Sequence, residues 1–167
     1  MARNTPYSAD LGAREPFEAM QSSIDRMRAL MQGWSAAQFE RTYAPGKWTA
    51  RQILIHLAQT ELALGNRARM ALATPNYAAQ AFDQDRWMEI ESGGSGGSRG
   101  LSGTAALDAL AAANAMNRAL FASLSSAERA TAFTHPEYGT LTVGWIIDQM
   151  GGHLVHHLAQ FEQIART

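Results

Sequence analysis

Apolar residues recur along most of this chain at steps of three and four. Phe17, Met20, Ile24, Met27, Leu30 and Met31 follow that rhythm. The spacing predicts a first helix from about Glu15 to Gln32, with Pro16 in its first turn. "GWSAAQFE" breaks the pattern, with Ser35 capping a short turn, and "YAPGKW" reads as a loop from its Pro-Gly pair. A second helix starts after Thr49, a suitable N-cap, and runs to about Ala73, where Pro75 stops it. "NYAAQAFDQDRWMEIES" is mixed in pattern and reads as a loop with one short helical turn. A third, Ala-rich helix is predicted from about Thr104 to Leu124. "SSAERATAFTHPEYGT" reads as a short turn and loop. A fourth helix starts near Thr142 and continues to about Ile164. Alternating patterns are scarce and valine is rare, which argues against a β-fold.

One stretch interrupts this order. "ESGGSGGSRGLSG", Glu91 to Gly103, has the composition of an inter-domain linker. The flanking halves, Met1–Ser92 and Leu101–Thr167, each offer two long helices, too few for an independent core. The segment is better read as a long connection between the second and third helices of one four-helix bundle. The expectation is an all-α, single-domain chain over residues 1–167.

Composition narrows the chemistry. The 167 residues contain no cysteine, so thiolate metal sites, a catalytic thiol and disulfides are excluded. Any metal must be held by His, Asp, Glu or main chain. A net charge of −1, with scattered arginines and Lys47 as the one lysine, gives no broad attraction to nucleic acid or acidic membrane. "MARNTPYSAD" has no apolar signal region, and no apolar run approaches the roughly 20 residues of a membrane span. The expected setting is soluble and cytoplasmic, with a small-molecule substrate.

Three of the five histidines fall in "GHLVHHL", Gly152 to Leu158. With His153 placed at 0° on a helical wheel, the apolar stripe of the fourth helix centres at about 80°. His157 lies at about 40°, inside the stripe, and His153 at its edge, while His156 falls at about 300°, on the polar flank. His153 and His157 are therefore an i, i+4 pair that can converge on one ion. Such pairs also occur as plain hydrogen-bonded core histidines, and a metal needs a third ligand. His56, amid Ile53, Leu54, Ile55 and Leu57, is the candidate from the second helix, although the sequence does not fix the register between the two. Three neutral imidazoles suit Zn²⁺, Ni²⁺, Fe²⁺ or Cu²⁺, and a set with no fourth protein ligand leaves positions open for chemistry.

Other residues are secondary. Thr60, one turn after His56, can support the site or merely pack. Arg67 lies within about 20° of His56 on its wheel and can reach an anionic substrate, but reads more readily as a surface arginine. Glu61 and Asp148 fall away from the histidine faces, so no general base stands out and no catalytic residue is assigned. Trp48 and Trp145 are expected to pack the bundle end, and His135 and Tyr138 to lie on the surface of a loop. H-E-x-x-H, E-x-x-H, G-x-S-x-G and phosphate-loop patterns are all missing, which disfavours zincin, di-iron, serine-hydrolase and nucleotide chemistry.

"KWTARQILIHLAQTE", "AFDQDRW" and "HPEYGTLTVGWIIDQMGGHLVHHLAQFEQI" together resemble the DinB/YfiT-like superfamily, the last through a G-x-L-T turn leading into H-x-x-x-H-L-x-Q. The resemblance covers most of the chain from Gly46 onward. It implies an up-up-down-down four-helix bundle, often a homodimer. It also implies a divalent ion, commonly nickel or zinc, on His56, His153 and His157; helical placement, not the resemblance, adds His156, Thr60 and Arg67 as candidates near the ligands or the substrate. Characterised relatives include thiol-dependent S-transferases and isomerases, which implies a low-molecular-weight thiol as a possible cosubstrate. Gly151-Gly152, just before His153, departs from the pattern and admits either close helix packing or space beside the ion. The leading expectation is a metal-dependent transferase or hydrolase. The rivals are a non-enzymatic, stress-related dimer with a structural or vestigial site, and a metal-free bundle that binds small molecules in its Met- and Trp-rich interior.

Overall fold

A computed structural model describes residues 4–93 and 99–166; five residues of the Gly-rich connection, 94–98, lie outside the described residues. Four long helices form the body: α2 (Pro16–Leu30), α4 (Ala50–Ala73), α6 (Gly103–Ser123) and α8 (Val143–Ile164). Short helices α1 (Ser8–Leu11), α3 (Ala36–Phe39), α5 (Gln84–Ser92) and α7 (Ser126–Arg129) lie between or before them. Side-chain caps set several starts. Thr49 and Gln52 form a reciprocal capping box at α4, Ser102 caps α6 through the Ala105 amide, and Thr142 caps α8 through the Trp145 amide.

Cross-helix pairs give the directions. Arg26 on α2 meets Glu162 on α8, and Gly151 lies against Pro16, so these two helices run parallel. Glu61 meets Asn114 and Asn117, while the Arg51 guanidinium, at the start of α4, reaches the Arg99 carbonyl just before α6. Those two helices are parallel as well. Arg28 with Asp108 and Gln21 with Arg118 make α2 and α6 antiparallel. The bundle thus has two like-directed pairs, but they are α2/α8 and α4/α6. In chain order the helices run up, down, down, up, a cyclic shift of the up-up-down-down order that the resemblance implied. A parallel α4/α6 pair requires the chain to return along the whole bundle, which is why the connection between them is long. That return carries α5, a nine-residue helix capped by Asp83 and ended by Gly93 at φ 76°, where only a short turn was expected.

A second difference is a hairpin in place of the expected loop before α8. Strands β1 (Ala132–His135) and β2 (Gly139–Thr142) pair antiparallel, and Thr134 also exchanges backbone bonds with Tyr77 and Ala79. Phe133 and His135 alternate inward along β1, and Gly139 takes the positive φ of 70° that closes the turn. The strands are four residues each, too short for their alternation to stand out in sequence.

The core is built round α4, on which every residue from Ala50 to Glu61 is buried. The glycine pair in α8 serves close packing. A Cβ on Gly152 would stand 2.4 Å from the Tyr7 carbonyl oxygen, and one on Gly151 3.1 Å from the Pro16 Cα. The segment 5–16 therefore lies directly on α8, where a side chain would hold it off.

Candidate metal centre

His56 sits on the seventh residue of α4, and His153 and His157 one turn apart on α8. The two helices are antiparallel and cross at this level. All three rings are buried, at 3%, 4% and 7% exposure. The Nε2 atoms converge: His56 to His153 is 3.1 Å and His157 to His153 is 2.9 Å. Three nitrogens bound to one tetrahedral ion at ordinary Zn–N distances stand about 3.3 Å apart, so the observed spacing is close to what an ion needs.

Proton placement sharpens the fit. His157 Nδ1 donates to the Gln160 side-chain oxygen at 2.7 Å, so its Nε2 presents a lone pair. His153 Nε2 carries at most one proton and faces two imidazole nitrogens. The triad cannot satisfy itself by hydrogen bonding, whereas a cation between the rings meets all three lone pairs. Burial also keeps the rings neutral. Desolvation, with a smaller contribution from His157, lowers His56 from 6.5 to about 3. Desolvation lowers His157 to about 4 against the raising effect of its bond to Gln160, and holds His153 well below its ordinary value. Neutral imidazole is the ligating form. These residues fit a divalent ion of the zinc or nickel type, and they are the one three-ligand cluster among the described residues.

His156 lies outside the cluster, as its place on the polar flank predicted, but it is connected to it. Gln160 Nε2 donates to His156 Nε2 at 3.2 Å, and His156 Nδ1 then donates to Asp10 at 3.3 Å. A chain of hydrogen bonds runs from the Asp10 carboxylate through His156 and Gln160 to His157. Tyr7 covers it, its ring 4.8 Å from His153 and 5.1 Å from His156. Just before the other helix, the Trp48 ring lies 5.0 Å from His56, whose buried Nδ1 has no partner. His56 is thus held by packing, and His157 by hydrogen bonds.

A cavity of about 200 Å³ opens beside His56 and His153 toward the hairpin. Thr60, Arg67, His135, Tyr138, Trp145 and Gln149 are among its walls. The Thr60 hydroxyl donates to the His56 carbonyl at 2.9 Å. Two expectations need correction here. Arg67 is buried rather than on the surface, with Nη2 donating to the Gln80 carbonyl at 2.8 Å. His135 is buried because the hairpin folds it over the cavity, and Tyr138, although exposed, forms part of the same wall. Trp145 lines the cavity with them, besides donating to the Asn4 carbonyl. Glu61 is also buried but faces α6, where Asn114 and Asn117 donate to its carboxylate at 2.8 and 2.7 Å. It is a link between helices and does not face the histidines. Asp10, Tyr7 and Gln160 were missed as site residues, although the H-L-x-Q end of the α8 motif contained Gln160.

Known proteins resemble this chain in sequence and fold. A protein of Oceanobacillus iheyensis named "Putative metal-dependent hydrolase OB0782" is 26% identical over 129 residues, 77% of this chain and 72% of its own. Bacillus subtilis "Putative metal-dependent hydrolase YfiT" is 24% identical over 144 residues, 84% of this chain and 77% of its own. The solved structure of YfiT, a four-helix bundle of unusual topology, matches with a TM-score of 0.78 at 20% identity, covering 90% of this chain and 84% of that one. The DinB superfamily model matches residues 19–161, from α2 through all three α8 histidines, and the chain belongs to that superfamily.

Proposed function

We propose that this protein is a metal-dependent hydrolase of small molecules, with one divalent ion held by His56, His153 and His157. The observation that carries this reading is the convergence of three neutral Nε2 atoms that cannot satisfy one another, beside a cavity of small-molecule size. The names of the relatives support it. A zinc or nickel ion bound there supplies Lewis acidity to a substrate carbonyl or to water. The chain's own part is to fix the ligands and shape the approach. Gln160 holds His157 in the ligating tautomer. Leu64, Phe82 and Trp145 give the cavity an apolar wall that limits water around the reacting group.

A second reading, thiol-dependent S-transfer, is supported by a neighbouring cavity of about 690 Å³ that shares Tyr138 and Trp145 with the first. It gives room for a low-molecular-weight thiol beside the substrate.

Elemental mass spectrometry on untagged protein tests the centre. One metal per chain is expected in the wild type, and none in the His153→Ala/His157→Ala variant. The metal-loaded protein then hydrolyses members of an ester and amide panel without added thiol, whereas turnover only with thiol selects the second reading. Failure of both proteins to take up Zn²⁺ or Ni²⁺ would overturn the metal centre.

A further inference from the structure

Arg67 is the buried charge that the metal centre leaves unused. Its guanidinium lines the cavity, where Nη2 donates to the Gln80 carbonyl. Among the described residues it forms no ion pair. Glu137, the carboxylate sharing the cavity, is exposed and stands outside ion-pair distance. A buried guanidinium has five donors in a planar fork, and a neutral carbonyl satisfies one of them. His135 stands in the same wall. Its Nδ1 accepts from the Glu137 amide at 3.2 Å, so the ring proton is on Nε2, a second donor beside a fixed positive charge. At the other end of the cavity, Gln149 lies one turn before His153 with a buried side-chain oxygen that has no partner. That oxygen calls for a donor on the bound molecule.

We infer that the cavity takes an elongated small molecule with an anionic terminus, carboxylate or phosphate, held by Arg67 and His135, and a reacting end bearing an N–H or O–H at the histidines. The inference rests on the metal-centre reading and names the substrate class of that site. Arg67 and His56 are eleven residues apart on one straight helix, a rise of about 16 Å. Side chains on a helix lean toward its N-terminus, which for Arg67 is toward His56, so the molecule spans on the order of 10 Å. At that separation Arg67 cannot meet charge developing at the reacting group. It is a specificity residue that selects and positions, and its loss raises KM more than it lowers kcat.

The test uses zinc-loaded protein and ω-carboxyalkyl hydroxamic acids, with chains of roughly four to ten methylenes to bracket that span. The hydroxamate chelates zinc and offers Gln149 a donor; each acid is compared with its neutral ω-carboxamide by calorimetry. At the best length, the carboxylate tail is expected to bind about tenfold or more tighter than the carboxamide. Arg67→Gln should abolish that preference while zinc uptake and hydroxamate binding persist, which also shows that the variant is folded. Arg67→Lys should keep part of it, as a charge without the fork. ω-Phosphonate tails distinguish the two anions, since either being preferred over the carboxamide supports the inference. Equal affinity of charged and neutral tails in the wild type, or a preference that survives Arg67→Gln, overturns it. Zinc uptake with indifferent tails overturns this inference alone. A chain that takes up no zinc and binds neither compound overturns the metal centre, and the inference with it.

Discussion

Gln160 connects the two parts of the α8 histidine cluster: its oxygen fixes His157 and its nitrogen engages His156. Gln160→Ala is expected to leave the fold intact and weaken zinc affinity about 10- to 100-fold, measured by competition with a chelating dye. Asp10→Asn acts one bond further away and should have the smaller effect. The His153/His157 pair was legible because helical periodicity orients an i, i+4 pair without knowledge of the partner helix, whereas His56, a candidate on its own helix, joined it only through the family resemblance. His135 and Arg67 were not. "HPEYGT" has turn composition, and only the tertiary placement of the hairpin over α4 buries His135. Arg67 lay on the right face of its helix, but nothing local shows that residues 77–82 fold back over it.

At the scale of elements, the glycine pair decides how α8 meets the chain's first segment. Gly152→Ala places a methyl against backbone that cannot rotate away, and should cost about 2 kcal/mol or more in urea denaturation. Gly151→Ala, with contacts of 3.1–3.3 Å to Pro16, should cost less. Because the segment carrying Tyr7 and Asp10 is displaced in the first case, the Gly152 variant should also bind zinc more weakly. The four long helices were readable from apolar rhythm and caps to within a residue or two. Their directions were not, since the pattern marks which face is buried and leaves open which neighbour covers it. The parallel α4/α6 pair depends on Glu61, Asn114 and Asn117, polar residues at positions where an apolar stripe would lead one to expect carbon.

For the whole molecule, the buried imidazoles tie stability to acidity. Burial lowers His56 to about 3 and His157 to about 4 from an ordinary 6.5, with His153 shifted the same way. Between pH 6.5 and about 3 the unfolded chain therefore binds more protons than the folded one. This contribution is complete above pH 6.5 and is lost as pH falls through that window. Protons and metal compete for the same nitrogens. Zinc at 100 times its dissociation constant should raise the melting temperature by about 5–10 °C at pH 7.5, and by progressively less toward pH 5. Differential scanning calorimetry across that range checks both slopes, and a zinc effect independent of pH would contradict them.

The parallel contact of α2 with α8 bears on how the chain is made. Arg26 and Glu162, which mark that contact, are 136 residues apart. The first long helix therefore leaves the ribosome with its apolar side uncovered and waits for the last one, and His56 waits 97 residues for His153. Synthesis from the N-terminus cannot complete the bundle in stages. A nascent chain halted before Val143 should be sticky, protease-sensitive and unable to retain zinc, and folding should set in only once α8 has emerged.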